Sequence, residues 1–369
     1  MEYKIAKGGS HQKALTPKPP ATNMKKRLLF AMAFIALFGS CQENRKHPKI
    51  DSPTGWEIME VPSDASIRGL SPLTSEIIWA SGSKGTWLLT LDGGKTWSTG
   101  IIDGLDSVDF RDIEGFSAST AVAVSAGQPA VIYKTTDSGK TWQKKYQGPE
   151  EAFLDGISFY KNRKGYAIGD PVDGKWMVLE TIDGGESWTW LESSPSAEPG
   201  EGSFAASGST ILTDNDFIWF SSGGSKSKIY RSKDGGHRWE IKETPIIQGE
   251  PSQGIFSLSK LDNNNLIAVG GDYLQPDLSQ KNAIYSPELG NSWEILAGNL
   301  PNGFRSGVAY FPRHHWVVSV GTNGSDFSKD GGINWEKFSN EGFHAVFIDK
   351  SQGSLWASGA GGKIGRLIY

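Results

Sequence analysis

Five polar residues recur at one place in a repeated pattern. Arg68, Arg111, Asp155, Arg305 and His344 each follow an apolar residue, in Ile67-Arg68, Phe110-Arg111, Leu154-Asp155, Phe304-Arg305 and Phe343-His344. An arginine presents a planar fork of N–H donors that matches a carboxylate or a phosphate. If three arginines, an acid and an imidazole share one pocket, they form a site for an anionic ligand or partner. Asp170, Glu201, Asp272 and Tyr273 stand in Gly/Pro-rich connections that can carry further contacts. Other chemistry is poorly supported. The six His are scattered, and His314-His315 would point to opposite sides of a strand, so no metal site is expected. No Gly-x-Gly-x-x-Gly motif, Cys-x-x-Cys pair, haem motif or Gly-x-Ser-x-Gly elbow occurs, so no cofactor and no assignable catalytic residue is expected.

These residues converge only if the elements carrying them are arranged around a common axis. The chain has 369 residues, enough for two or three ordinary domains, but its composition favours many short strands. It contains 46 Gly and 14 Trp, with no three-residue glycine period. That argues for strands joined by tight turns and against collagen. A single Cys excludes an internal disulfide framework and Cys-rich zinc modules.

One element repeats along the body. Asp92-Gly93-Gly94-Lys95-Thr96-Trp97 returns at Asp137 to Trp142, Asp183 to Trp188, Asp234 to Trp239 and Asp330 to Trp335. A worn copy runs from Glu288 to Trp293. Successive Trp are 45, 46, 51, 54 and 42 residues apart, the period of a propeller blade with several strands. Within 109–146 four short strands are readable, with the Asp-x-Gly element as the hairpin turn between the third and fourth. The Asp can accept backbone N–H bonds, the Gly supplies positive φ, and the Trp buries a large face. Six turns imply seven blades, because Gly55-Trp56-Glu57-Ile58 reads as a fourth strand without its turn and the C-terminus supplies three strands without a fourth. The two ends then close the ring. The expected fold is an all-β, seven-bladed propeller over residues 56–369.

In such a ring the first strand of each blade lines the channel. These strands are expected around Ile67–Leu70, Phe110–Ile113, Leu154–Ile157, Phe204–Ala206, Ile255–Leu258, Phe304–Gly307 and Phe343–Val346. The insertions at 191–202 and 271–282 emerge on one face, and the repeated turns on the other.

The first forty residues read as an address. Residues 1–41 carry seven Lys/Arg and one acid, which leaves 30 basic and 40 acidic residues beyond them, a net of −10. An acidic body argues against nucleic-acid binding. Leu28 to Phe38 is an apolar run of eleven residues, too short to span a bilayer, which takes about 20. It follows Met24-Lys25-Lys26-Arg27 and ends at Gly39-Ser40-Cys41, in the manner of a secretory signal. Residues 24–41 resemble a bacterial lipoprotein signal, which implies lipidation at Cys41 and a place in the cell envelope, periplasmic or at the outer membrane. Residues 1–23 precede the expected initiator Met24, and 42–55 read as a flexible tether.

The repeated turns resemble the Asp-box, or bacterial neuraminidase repeat, with Thr90, Thr135, Thr181 and Ser232 two positions before their Asp. This likeness raises a sialidase-like glycosidase as an alternative, with Arg68, Arg111 and Arg305 in place of an arginine triad. No Tyr–Glu nucleophile pair is evident, and Ile67-Arg68-Gly69-Leu70 departs from the sialidase pattern. Over nearly all of 56–369 the chain more closely resembles the photosystem II assembly/stability-factor-like propellers. Phe110-Arg111-Asp112-Ile113-Glu114, Gly169-Asp170-Pro171-Val172-Asp173-Gly174, Gly200 to Ser207 and Gly270-Gly271-Asp272-Tyr273 carry this resemblance. It implies a monomeric, non-enzymatic scaffold that binds a protein. Some relatives are labelled oxidoreductases, a second alternative that no motif here supports.

Overall fold

Short apolar, β-branched runs separated by Gly, Asp and Ser cannot bury a face as helices, and the chain resolves them as strands. The computed structural model describes residues 52–369, so the expected signal, lipidation site and most of the tether lie outside the described residues. The described residues contain 29 strands and no α-helix. The strands form seven sheets. Going round the ring, the regular inner strands are Ile67–Pro72, Asp109–Gly115, Leu154–Tyr160, Ile211–Asp214, Gln253–Lys260, Gly307–Phe311 and Ala345–Ile348. We number the blades one to seven in that order.

The ring closes as the sequence requires. Gly55–Met59 pairs antiparallel with Ile364–Ile368 and becomes the outermost strand of blade seven. Trp56 on this strand packs on Phe343 and, across the seam, on Phe338 of blade six. Its indole N–H donates to Ser325 Oγ at 3.1 Å. Closure in this manner leaves no inner sheet edge exposed.

The repeated turns form the joints between blades. In the first, Gly94 N donates to Thr90 Oγ1 at 3.0 Å and Thr96 N to Asp92 Oδ1 at 2.9 Å. Equivalent bonds recur around Asp137, Asp183, Asp234 and Asp330. Hydrogen bonds from Thr96 hold the Asp92 carboxyl down to about 2. The glycine two positions after the acid of each turn sits under the preceding blade. A Cβ at Gly139 would lie 2.6 Å from Trp87, and one at Gly332 would lie 2.4 Å from Ile267. Both have positive φ, so conformation and space select glycine together. Each repeated Asp is therefore engaged within its own turn.

Two places depart from the regular pattern. In blade five the worn turn has Glu288 where the others have Asp, and its outer strand shrinks to one bridge between Tyr285 and Glu294. In blade four, Phe204–Ala206 is not the inner strand. The regular strand begins at Ile211, and residues 203–210 run irregularly across the channel. Ala206 O accepts from Arg68 Nη1 of blade one at 3.1 Å. A Cβ at Gly208 would lie 2.3 Å from Asp112 Oδ1 of blade two. Ser209 Oγ shares a 2.6 Å hydrogen bond with Ser257 Oγ of blade five. Ser203 N donates to Asp170 of blade three at 2.8 Å. A segment touching four other blades divides the channel into two mouths. Its composition, SFAASGST, supplies small residues that fit where a regular strand would not.

Candidate functional site

Four inner strands carry a β-bulge at the same level. The register slips between Ile67 and Gly69, Phe110 and Asp112, Leu154 and Gly156, and Ile255 and Ser257. The extra residues are Arg68, Arg111, Asp155 and Phe256. A bulged residue leaves the ladder and its side chain is re-aimed, a device often found beside functional sites. Arg68, Arg111, Phe256, Ser306 and His344 line one cavity of about 440 Å³ at the mouth bearing the insertions. Ala205 and Ala206 of the crossing segment also border it.

One half of this mouth is cationic. Arg111 Nε donates to Asp109 Oδ2 at 2.8 Å, with both side chains partly exposed. Arg68 uses Nη1 on Ala206 O. The remaining guanidinium nitrogens have no protein acceptor among the described residues. Burial and the neighbouring Arg111 bring Arg68 down to about 10, so it stays charged at neutral pH. Burial, then Arg68 and Arg111, push His344 down to about 3. Its imidazole is therefore neutral and shares a 3.1 Å hydrogen bond between Nε2 and Ser66 Oγ.

The other half is aromatic. Phe204 stacks on Phe256 at 3.8 Å between centroids with the planes 7° apart. Phe304 meets Phe256 edge-on at 4.7 Å, and Tyr273 does so at 6.2 Å. Phe256 occupies the ring position that holds Arg in blades one and two, so the channel floor is not uniformly polar.

Arg305 does not belong to this site. It is fully buried and ion-paired with the equally buried Asp326. Its Nη1 also donates to Phe304 O and Asn323 Oδ1, both at 2.7 Å, and Nη2 to Asn302 O at 2.9 Å. The expected arginine triad is thus reduced to Arg68 and Arg111. The reason is a one-residue offset: Gly307 pairs with Val320 as Gly69 pairs with Ser81. Ser306 therefore takes the position of Arg68, and Arg305 that of the buried Ile67.

Asp155 is 1% exposed, and neither carboxyl oxygen has a hydrogen bond of good geometry. Burial and the charge of Asp170 hold it well above the usual carboxylate range, with Arg111 and the Ala205 amide offsetting part of this. It lies among Arg111, Asp170 and Ala205 but does not line the cavity. Asp170 does line it and accepts Ser203 N at 2.8 Å; burial raises its carboxyl too. A carboxyl whose folded pKa is raised favours the fold below its unfolded pKa of about 3.9, and that stability is lost as pH rises through the folded value. Asp155→Asn cannot ionise. It is expected to be more stable than the parent by about 1–3 kcal/mol at neutral pH. Urea midpoints should show the gap shrinking toward about pH 4.

The loop candidates divide. Tyr273 reaches the mouth and is 47% exposed. Glu201 is buried and accepts from Tyr230 OH at 2.7 Å, Glu198 N at 2.7 Å and Ser222 Oγ at 3.1 Å. Asp272 accepts from Leu274 N, Gln253 Nε2 and Gln275 Nε2 at 3.0–3.1 Å. These two acids hold their loops in place and do not face a ligand. The reading from the residues did not single out Phe204, Phe256, Phe304 or Ser306 as site residues. No cluster of three metal-ligating side chains occurs among the described residues.

Comparison with known proteins gives a consistent picture. Residues 49–149 match the family described as photosynthesis system II assembly factor YCF48. A photosystem II assembly lipoprotein Ycf48 from Synechococcus sp. is 27% identical over 165 residues. That match covers 44% of this chain and 46% of the relative, so the chain matches about half the length of that curated protein. The structure of YCF48 bound to D1 peptide superposes with a TM-score of 0.60 at 18% identity, covering 87% of this chain and 96% of that one. YCF48 from Cyanidioschyzon merolae gives 0.59 at 15%, covering 85% and 98%. The GH74 enzyme of Niastella koreensis gives 0.53 at 14%, covering 84% and 53%, a likeness of fold.

Proposed function

We propose that this chain, a photosystem II assembly-factor-like β-propeller, is a binding scaffold whose ligand is a protein segment carrying an anionic group. The observation that supports this reading most directly is the pair Arg68 and Arg111. Two guanidiniums share one mouth, each with N–H donors not used by the protein, and Asp109 is the carboxylate paired with Arg111 there. Free guanidinium forks in a partly desolvated pocket favour an incoming carboxylate. The relative bound to D1 peptide supports a protein as the class of partner.

The scaffold reading includes a lipid anchor at Cys41 that holds a monomeric propeller at the cell envelope, outside the cytoplasm. It rests on the basic, apolar and small-residue order of residues 24–41. The glycosidase alternative loses its third arginine to Asp326. Affinity capture from envelope extracts tests the scaffold reading. The parent protein should retain a partner that the Arg68→Gln/Arg111→Gln double variant loses, with its melting temperature unchanged. Equal capture by both would overturn it. Cys41→Ala should release the protein from membranes, and retention there would contradict the anchor.

A further inference from the structure

The mouth is divided into two unlike halves, and this division specifies more than an anion. On one side, Arg68 and Arg111 each use one N–H direction on the protein and leave the rest of the fork open. On the other side, Phe204, Phe256 and Phe304 form a packed aromatic wall. Tyr273 lines the mouth and extends this wall to the rim, 47% exposed, and Leu274 follows it in the chain, 72% exposed. A large apolar side chain held in water is unfavourable unless something covers it.

This rim is held rigidly. Asp272 accepts Leu274 N at 3.0 Å, and Gln275 N donates to Asp272 O at 3.0 Å. Phe304 N donates to Pro276 O at 2.9 Å, and Asn323 Nδ2 binds Pro276 O and Asp277 Oδ1 at 2.9 and 2.7 Å. The backbone that carries Tyr273 is thereby fixed. A pre-ordered aromatic platform lowers the ordering cost of binding.

We infer that the mouth reads a peptide segment in which a carboxylate stands next to a large apolar side chain. The carboxylate lies between Arg68 and Arg111, and the apolar side chain lies against Phe204 and Tyr273, which cover the buried Phe256. This inference rests on the scaffold reading above and adds the chemistry of the partner. A chain terminus and an acidic side chain supply the same carboxylate.

Four labelled decapeptides on a common Gly/Ser spacer test it by fluorescence anisotropy with the purified protein. One ends in Ala-Phe with a free carboxylate, and one ends in Phe-Glu amide. One ends in Ala-Phe amide, without a carboxylate, and one in Ala-Gly with a free carboxylate. At least one of the first two is expected to bind about tenfold or more tightly than both controls. Preference for the free Ala-Phe end assigns a chain terminus, and preference for Phe-Glu amide an internal acid. Arg111→Gln should reduce the better ligand to the level of the amide control. Tyr273→Ser, on the exposed rim, should reduce it toward the level of Ala-Gly. If Ala-Gly binds as tightly as the Phe peptides and depends on Arg111, the two-part recognition is wrong and the scaffold reading stands. If the amide control binds as tightly as the acids, the inference is likewise overturned. If no peptide binds and the captured partner is insensitive to Arg68→Gln/Arg111→Gln, the scaffold reading itself fails.

Discussion

Arg305→Ala is expected to destabilise the ring by about 3–5 kcal/mol, because it leaves the fully buried Asp326 carboxylate without its counter-ion. The loss extends beyond the pair. Phe304 O, Asn323 Oδ1 and Asn302 O would each lose a donor. Urea unfolding should show a lower midpoint with an unchanged slope. Arg111→Ala provides the contrast. Its pair with Asp109 is partly exposed on both sides, at 34% and 24%, so the expected cost is within about 1 kcal/mol. Removing both charges, as Arg305→Met with Asp326→Leu, should recover only the part of the loss that comes from the unpaired Asp326 carboxylate, because the acceptors of Arg305 and the donors of Asn302 stay unpaired. Equal destabilisation by Arg305→Ala and Arg111→Ala would contradict the division between a structural and a ligand-facing arginine.

Gly208→Ala is the second large effect. Gly208 has φ of +74°, where a side chain costs about 1–2 kcal/mol. The added Cβ would stand 2.3 Å from Asp112 Oδ1. That carboxylate cannot swing away freely, since it accepts Ile113 N at 2.8 Å and Ile157 N at 2.7 Å. Overpacking adds about 1–3 kcal/mol. Together the substitution is expected to lower stability by roughly 2–5 kcal/mol and to displace the segment that separates the two mouths. Thermal melts measure the first, and increased proteolysis between residues 203 and 210 the second. A variant as stable and as resistant as the parent would mean that this segment does not cross the channel as described.

Much of this architecture was legible in the chain. The Asp-x-Gly-Trp period reports blades because each turn requires glycine both for its φ and for the contact with the preceding blade, as at Gly139 under Trp87. Trp56 and the three C-terminal strands without a fourth announced the closure. The site was harder to read. Aligning on the preceding apolar residue placed Arg305 beside Arg68, whereas the bulge is followed by a small residue and an aliphatic one. Arg68-Gly69-Leu70, Asp155-Gly156-Ile157, Phe256-Ser257-Leu258 and Ser306-Gly307-Val308 share that order, and it selects Ser306. Glu201 and Asp272 looked like ligand groups because a loop acid has the same letter whether it faces a ligand or caps its own backbone. The crossing segment carried no period at all. Its path depends on contacts with four other blades, which no local pattern encodes.

Site-specific photocrosslinking in intact cells tests the binding face most directly. A photoreactive residue placed at Tyr273 samples the mouth with Arg68 and Arg111, and one at Ile182, 66% exposed in a repeated turn, samples the opposite face. A protein adduct is predicted from position 273, absent from position 182, and lost when Arg68→Gln and Arg111→Gln are added. An adduct from position 182 with none from position 273 would contradict the account.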